Sequence, residues 1–216
     1  MSNRRTLFAA AIALAAMSIP ASATIIGGSI TSGAPGAQFI KLTVPFTAST
    51  PDNTVGNNNF QSINLYGFDE DQNIVLPGPL NVDVVPSGPL TLPVNSTVAS
   101  HYIFFDPATT TSINGTVDFD SDVVAIITST GNLLASDFLA NTGVNYLNPT
   151  LRGLEAGDSV TISGVRQIRF NTSAGTPGDY VRVLTAYSPG AVPEPGTAAL
   201  FLAAFGIAAV RYTRRG

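Results

Sequence analysis

The sequence predicts an all-β fold, a two-sheet antiparallel sandwich with a jelly roll as one form of it. Short runs rich in Val, Ile, Thr, Phe and Tyr alternate with clusters of Gly, Pro, Asn, Asp and Ser, as in strands joined by turns. Apolar and polar side chains alternate with period two, for example along Ser62–Leu65, as expected where one strand face is buried. Many short strands with few helical segments favour a sandwich.

The first 23 residues have the features of a secretory signal peptide. Two arginines near the start supply positive charge, and the apolar run Leu7–Ile19 follows. The triplet Ala21-Ser22-Ala23 is a small-x-small cleavage site, so we expect cleavage between Ala23 and Thr24. This segment predicts export through the Sec route.

The predicted strands then follow one another along the chain. The polar stretch Thr47–Asn59 between them is predicted to be a mobile surface loop. Only Leu133–Leu139 looks helical, as a turn or two. The predicted strands are Phe39–Phe46, Phe60–Phe68, Asn73–Leu76, Asn81–Val85, His101–Phe105, Gly115–Phe119, Val123–Thr128, Asp158–Ile162, Val165–Phe170 and Tyr180–Ala186.

The C-terminal segment combines a rigid motif, an apolar run and a basic end. The motif is Pro193-Glu194-Pro195, whose prolines fix the backbone and keep it extended. The run Ala198–Val210 contains no charge, and the segment from Gly196 to Tyr212 has 17 residues, which is the lower limit for one membrane-spanning helix. Three arginines favour a cytoplasmic C-terminus: Arg211, Arg214 and Arg215.

This three-part segment resembles the PEP-CTERM sorting domain of Gram-negative and related bacteria. The resemblance implies recognition by an exosortase, a multipass membrane cysteine protease that cleaves near the motif. It further implies that the C-terminal helix anchors the protein in the inner membrane only transiently, before the protein reaches the cell surface or the exterior. The alternative is a plain C-terminal tail anchor with an incidental Pro-Glu-Pro.

The resulting organisation has four parts: a signal peptide (1–23), a β-sandwich domain (24–187), a linker (188–192) and a sorting signal (193–216). The central block 101–186 also resembles the body of many uncharacterised PEP-CTERM proteins, in runs such as Gly115–Phe119 and Asp179–Thr185. No activity is assigned to that body, so this resemblance implies fold and sorting and leaves the function open.

The charge and cysteine content of the mature region limit its partners and chemistry. From Thr24 to Glu194 the chain keeps five basic and all fourteen acidic residues, a formal net charge of 5 − 14 = −9. Such a surface argues against nucleic acid as a partner and is compatible with cations or neutral polysaccharide. Cysteine is absent, which excludes disulfides and cysteine chemistry, so stability must come from an apolar core.

Two acidic clusters are candidate ligand sites. Asp118, Asp120 and Asp122 alternate along the chain, so an extended backbone places them on one face, where they could bind one calcium ion. The glycine and distal glutamate of an EF-hand loop are missing, and the alternative is a solvated acidic turn. The second cluster, Asp69-Glu70-Asp71, is predicted to be a hairpin loop without an ion. No other cofactor is expected.

The sequence contains no recognisable catalytic constellation. His101 is the sole histidine and is interpreted as a strand-edge residue beside Tyr102, since no Gly-x-Ser-x-Gly motif accompanies it. Asp179 and Arg182 are interpreted as a structural salt bridge.

Three functions remain open. We favour a non-catalytic protein of the cell surface or of the exopolysaccharide matrix, as in a biofilm, and the prediction is that the chain is not an enzyme. The first alternative is a calcium- or carbohydrate-binding module that stacks sugars on exposed tyrosines, namely Tyr66, Tyr102 or Tyr146. The second is a carboxylate-dependent hydrolase using Asp106 and Asp120.

Overall fold

The computed structural model describes residues 22–187. The linker, the sorting signal and the signal peptide up to Ala21 therefore lie outside the described residues. The described chain contains fourteen strands, one short helix, α1 (Thr130–Ala135), and two 3-10 turns, Asp137–Leu139 and Pro149–Leu151. The strands are β1 (Ile25–Ser32), β2 (Phe39–Lys41), β3 (Thr54–Val55), β4 (Leu65–Asp69), β5 (Ile74–Val75), β6 (Leu80–Asn81), β7 (Thr91–Leu92), β8 (Thr97–Phe105), β9 (Thr111–Phe119), β10 (Val123–Ile127), β11 (Asn145–Tyr146), β12 (Ser159–Gly164), β13 (Gln167–Ala174) and β14 (Asp179–Ala186).

The longer strands form two sheets. The smaller sheet has the order β1-β9-β13-β12 and is antiparallel throughout. The larger sheet has the order β10-β14-β8-β4-β2, with β5 also pairing with β8; its β2–β4 pair is parallel. Two small ribbons, β11-β3 and β6-β7, complete the described strands. The prediction of an all-β protein is confirmed.

Apolar side chains from both sheets form one core between them. In the smaller sheet, β9 and β13 alternate between buried and more exposed positions, so one face covers the core and the other meets solvent. This packing of two sheets across a shared core is sandwich-like. The buried residues of this core are Ile25, Leu65, Ile103, Phe105, Ile113, Val117, Phe119, Val123, Ile126, Val160, Ile168, Phe170, Ala174, Val181 and Val183.

The second face of the larger sheet is buried as well, beneath loops and α1. Leu133 and Leu139 reach this second core from α1 and the following 3-10 turn, and Phe60 reaches it from a loop. The Phe60 ring lies 4.7 Å from that of Phe104, which in turn stacks on Tyr180 at 5.7 Å. Because both of its faces are covered, β14 is buried from Asp179 to Thr185.

Several predicted boundaries differ from the structure. The strand predicted over Phe60–Phe68 begins at Leu65, after a segment in which Gln61 takes a left-handed φ of 47°. The strand predicted over Phe39–Phe46 ends at Lys41. β1 was not predicted, because its Gly27-Gly28 pair resembles a loop.

The stretch Thr47–Asn59 is largely a surface loop, as predicted, but it also contains buried residues, and its mobility stays a prediction. This stretch contains β3, whose Thr54 and Val55 are buried, and Ser49 is buried too. β3 pairs with β11, which fixes the stretch against the rest of the domain. The helical prediction for Leu133–Leu139 is close to the structure, which divides the region into α1 and a 3-10 turn.

Among the described residues, no helix combines the length and the apolar character needed to cross a membrane.

Candidate functional site

The sole histidine lies in a buried polar cluster at one end of the core between the sheets. His101 stands in the middle of β8, which is paired with β4 and β14 on its two sides. Its Nδ1 is 2.8 Å from Asp69 Oδ1, and its Nε2 is 3.0 Å from Thr185 Oγ1. Its ring packs 5.0 Å from Phe119. The interpretation of His101 as a strand-edge residue is therefore wrong.

Asp69 joins this histidine to the beginning of β1. Its Oδ2 accepts a hydrogen bond from Thr24 Oγ1 at 2.7 Å and forms an ion pair with Lys41 Nζ at 2.7 Å, and Lys41 also donates to Thr24 Oγ1. Its Oδ1 accepts from the Ile25 amide at 3.0 Å. Burial raises the pKa of Asp69, but the hydrogen bond and charge of His101, with the bonds from Lys41 and Thr24, hold it well below its ordinary value.

The sequence of hydroxyl, imidazole and carboxylate resembles the order of groups in a serine-type triad. The hydroxyl would be that of Thr185, but Thr185 and His101 both have 0% exposed surface. A nucleophile must reach a substrate carbonyl, and no substrate can reach a hydroxyl closed between two sheets. The cluster is suited to holding β4, β8, β14 and the start of β1 together.

The three predicted calcium ligands are engaged by three separate partners. Asp118 Oδ1 accepts from Gln167 Nε2 at 2.7 Å, and Asp120 Oδ1 accepts from the Thr24 amide at 2.7 Å. Asp122 Oδ1 pairs with Arg166 Nε at 2.9 Å on the exposed surface. Residues 22–187 contain no group of three or more His, Cys, Asp or Glu side chains placed to hold a metal ion. The calcium site stays a prediction.

An open groove of about 650 Å³ runs beside two of these carboxylates. Asp118 and Asp120 line it together with Arg166 and Gln167 from the β12–β13 turn region. Ile26 is 63% exposed at this groove and contributes apolar surface. Planar polar groups beside apolar surface can hydrogen-bond and pack against a polar organic ligand.

A second groove of about 550 Å³ meets the first at the β12–β13 turn. Val165 borders both grooves and is 70% exposed. Asp122 and Thr161 line the second groove with Val84 and Pro86. This end of the domain therefore presents two adjoining depressions around one exposed apolar side chain.

Asp106 and Asp120, the predicted hydrolase pair, do not share a site. Asp106 is buried, and its Oδ2 accepts from the Phe60 amide at 3.1 Å. Asp106 comes directly after β8, five residues beyond His101, which corresponds to roughly 16 Å at strand rise. Asp120 lies near His101 instead, because it adjoins Phe119, whose ring packs on His101. Paired glycosidase carboxylates stand about 5–9.5 Å apart. Burial raises the pKa of Asp106 above its ordinary value.

The predicted sugar-stacking tyrosines are not exposed. Tyr66 and Tyr102 are buried in the second core. Tyr146 is partly buried and donates its hydroxyl to Glu70 Oε1 at 2.7 Å. The prediction of exposed tyrosines is wrong, because the loop layer covers the sheet face that carries Tyr66 and Tyr102, and Tyr146 packs against the same core from the β11-β3 ribbon.

A second polar network, which the sequence did not reveal, lies inside that core. Arg182 forms a two-point ion pair with Glu70, at 2.6 Å from Nε to Oε2 and 3.0 Å from Nη2 to Oε1. Its Nη1 donates to Ser136 Oγ at 2.6 Å, and Asp137 nearby pairs with Arg152 at 2.7 Å. The network holds α1 and the acidic run after β4 against the larger sheet.

The predicted Asp179–Arg182 salt bridge is replaced by this network. Asp179 is buried on the other side of β14, where burial and the charges of Asp158 and Glu155 raise its pKa to about 7. Successive side chains on a strand point to opposite faces, so two positions an odd number of residues apart lie on opposite faces. Positions 179 and 182 are three residues apart and therefore cannot face each other. The acidic run 69–71, predicted to be a hairpin loop, supplies the partners of both His101 and Arg182.

The predicted processing residues are only partly described. Ala23 is buried and Thr24 is half-buried at the start of β1, whereas Ala21 lies outside the described residues. The C-terminal motif Pro193-Glu194-Pro195 also lies outside the described residues, as do Arg211, Arg214 and Arg215.

Comparison with known families places a sorting signal in that C-terminal part. Residues 191–215 match the model of the PEP-CTERM protein-sorting motif. The match includes the Pro-Glu-Pro motif, the apolar run and the arginines, and it supports the resemblance that the sequence predicts. No curated protein and no solved structure matches the chain.

Proposed function

We propose that this chain, a PEP-CTERM sorting domain-containing protein, is a non-catalytic component of the cell surface or of the extracellular polysaccharide matrix. The match over residues 191–215 carries the proposal, because the motif implies recognition by an exosortase and processing at the membrane on the way to the surface. The domain that is delivered has a formal net charge of −9 from Thr24 to Glu194 and contains no cysteine. Such a domain stays soluble and tolerates an oxidising exterior.

The interior of the domain supports a structural role. His101, Thr185, Arg182 and Glu70 are all buried, and their hydrogen bonds join strands and loops to one another. Acid–base work requires a titrating group within reach of a substrate, and these groups are closed off by the two cores. The polar interior of the domain therefore serves its rigidity.

The sorting step is tested by changing Pro193-Glu194-Pro195 to three alanines. We expect a larger form that stays in the membrane, because the protease loses the extended segment that it recognises. The matched control is Pro189→Ala, which removes a proline just upstream of the motif. Mass spectrometry of both protein ends and cell fractionation provide the readout. Equal mass and equal location for the triple variant and the wild type would refute the proposal.

A carbohydrate-binding module is the second candidate, favoured by the groove beside Asp118 and Asp120. The side chains of Asp118, Gln167 and Arg166 offer planar donors and acceptors next to the apolar Ile26. These groups can bind vicinal hydroxyls, while the apolar surface packs against a ring face.

The second candidate is tested by affinity electrophoresis in gels that contain the cell's own exopolysaccharide. We expect retardation of the processed protein and a loss of retardation in Gln167→Ala. Ser112→Ala, on the outer face of the same sheet but outside the groove, is the control. Repeating the gel with calcium and with a chelator tests the calcium prediction. Equal mobility with and without polysaccharide would reject the binding function.

A further inference from the structure

We propose that the new amino terminus produced by signal-peptide cleavage is bound by Asp120, so that export processing completes a polar clasp at the start of β1. The proposal rests on the export part of the proposed function. The backbone nitrogen of Thr24, the residue after the predicted cleavage point, lies 2.7 Å from Asp120 Oδ1. In the precursor this nitrogen is an amide, and after cleavage it becomes an ammonium group.

The surroundings of Thr24 favour that positive charge. Asp120 approaches from the β9–β10 connection, and Asp69 approaches from β4 through the Thr24 hydroxyl at 2.7 Å. Lys41 of β2 is the positive neighbour and is already paired with Asp69, while His101 lies behind Asp69. A charge-assisted hydrogen bond to a carboxylate is stronger than one from a neutral amide, so the contact strengthens on cleavage.

The rest of the clasp is already assembled around Thr24. The Asp120 amide donates to the Thr24 carbonyl at 3.1 Å, so each of the two residues both donates a hydrogen bond to the other and accepts one from it. Lys41 Nζ donates to the Ile25 carbonyl at 2.8 Å. The threonine is thereby bound through its nitrogen, its hydroxyl and its carbonyl oxygen, a degree of recognition that suits a chain terminus.

The burial of Ala23 indicates the order of signal-peptide cleavage and folding. In the uncleaved chain Ala23 has no exposed surface, so the Ala23–Thr24 bond is poorly presented to a peptidase once β1 has paired with β9. Cleavage must therefore come before β1 completes the smaller sheet. A precursor that escapes cleavage keeps a neutral nitrogen at this position and a weaker clasp.

The test uses the full chain, expressed with its own signal peptide and purified after processing. The α-amine at the mature N-terminus is acetylated with an N-hydroxysuccinimide ester at pH 7, and its rate is followed by mass spectrometry of the N-terminal peptide. Asp120→Asn keeps the shape of the side chain and removes the charge of the carboxylate that contacts the terminal nitrogen. We expect acetylation several times faster in Asp120→Asn, because the terminal amine then loses the carboxylate that holds it at 2.7 Å and is freer to attack the ester.

Asp118→Asn is the matched control, because Asp118 lies two residues before Asp120, near the end of β9, but bonds Gln167. Its acetylation rate should equal that of the wild type. A mature N-terminus at a residue other than Thr24, or equal rates in all three proteins, would overturn the clasp. Neither outcome bears on the C-terminal sorting step, which is tested separately by mass spectrometry of the C-terminal end of the protein.

Discussion

Arg182 on β14 and Glu70 after β4 form a two-point ion pair whose side chains are both closed off from solvent. The two residues are 112 positions apart in the chain. Burial works against the charged forms of both groups, and their attraction with further hydrogen bonds must offset that cost. In the folded protein the pKa of Arg182 is raised by Glu70 despite the opposing effect of burial.

Replacing Arg182 with Met should destabilise the domain by about 3–5 kcal/mol, because it leaves Glu70 charged and unpaired in the interior. Chemical unfolding in urea measures the change. Arg166→Met, which breaks the exposed pair with Asp122, should cost no more than about 1 kcal/mol. The double variant Arg182→Met/Glu70→Leu should recover much of the lost stability. Equal losses for the two single variants would contradict this view of the buried pair.

Asp69 should stabilise the domain at neutral pH and lose this effect in acid. Its pKa in the folded protein lies below the ordinary value of about 4, so its contribution is complete above that value and declines as the pH falls through the folded pKa. The stability difference between wild type and Asp69→Asn should therefore be large at pH 7 and should shrink steadily below pH of about 4. Urea unfolding across this range is the measurement, with the exposed Asp52→Asn as control. If the stability difference between wild type and Asp69→Asn did not change with pH, the charge of Asp69 would not contribute to stability.

Asp179 should have the opposite pH dependence. Its pKa is raised to about 7 in the folded protein, mainly by burial, against about 3.9 in an unfolded chain. Its neutral form is favoured by folding, so stability is complete below about pH 4 and is lost as the pH rises through 7. Asp179→Asn should be more stable than the wild type at pH 8, on the order of 2–4 kcal/mol, and nearly equal to it at pH 4.

A second variant checks the cause of that shift. Asp158→Asn removes a neighbouring charge that raises the pKa of Asp179, so Asp179 should titrate at a lower pH and the stability lost at high pH should be smaller than in the wild type. Thermal unfolding at several pH values provides the readout. If Asp179→Asn gave the same gain at pH 4 and pH 8, the titration of Asp179 would not be responsible.

The contact between β1 and β9 depends on a glycine. A Cβ atom added to Gly28 would lie 2.5 Å from the Thr116 carbonyl oxygen and 2.6 Å from the Phe39 ring, so Gly28→Ala must push the two strands apart. We expect a loss of about 1–3 kcal/mol. Gly27→Ala is the control, since its added Cβ meets nothing within 4 Å. Equal thermal midpoints for the two variants would contradict the close approach of these strands.

The strand content and the sorting signal could be predicted from local patterns. Alternation of Tyr180 and Arg182 with Val181 and Val183 correctly separates the two faces of β14. The loop layer could not be predicted, because a polar stretch such as Thr47–Asn59 has no periodicity that marks its few buried residues.

The two buried polar clusters were hidden for a different reason. An acidic run such as Asp69-Glu70-Asp71 normally meets solvent. Its partners, His101 and Arg182, lie 32 and 112 residues further along the chain, and local sequence gives no information on such pairings. The acidic residues that bind His101 and Arg182 were therefore the ones interpreted as a hairpin loop.

The position of β14 makes completion of the larger sheet depend on the segment next to the sorting motif. β14 lies between β10 and β8, yet it is the last strand of the described chain and ends at Ala186, close before the matched sorting segment. Pairings over such sequence distances form slowly, and β14 is the strand through which β10 joins β8 in the sheet. The larger sheet can therefore be completed only when the segment next to the sorting motif is available for pairing.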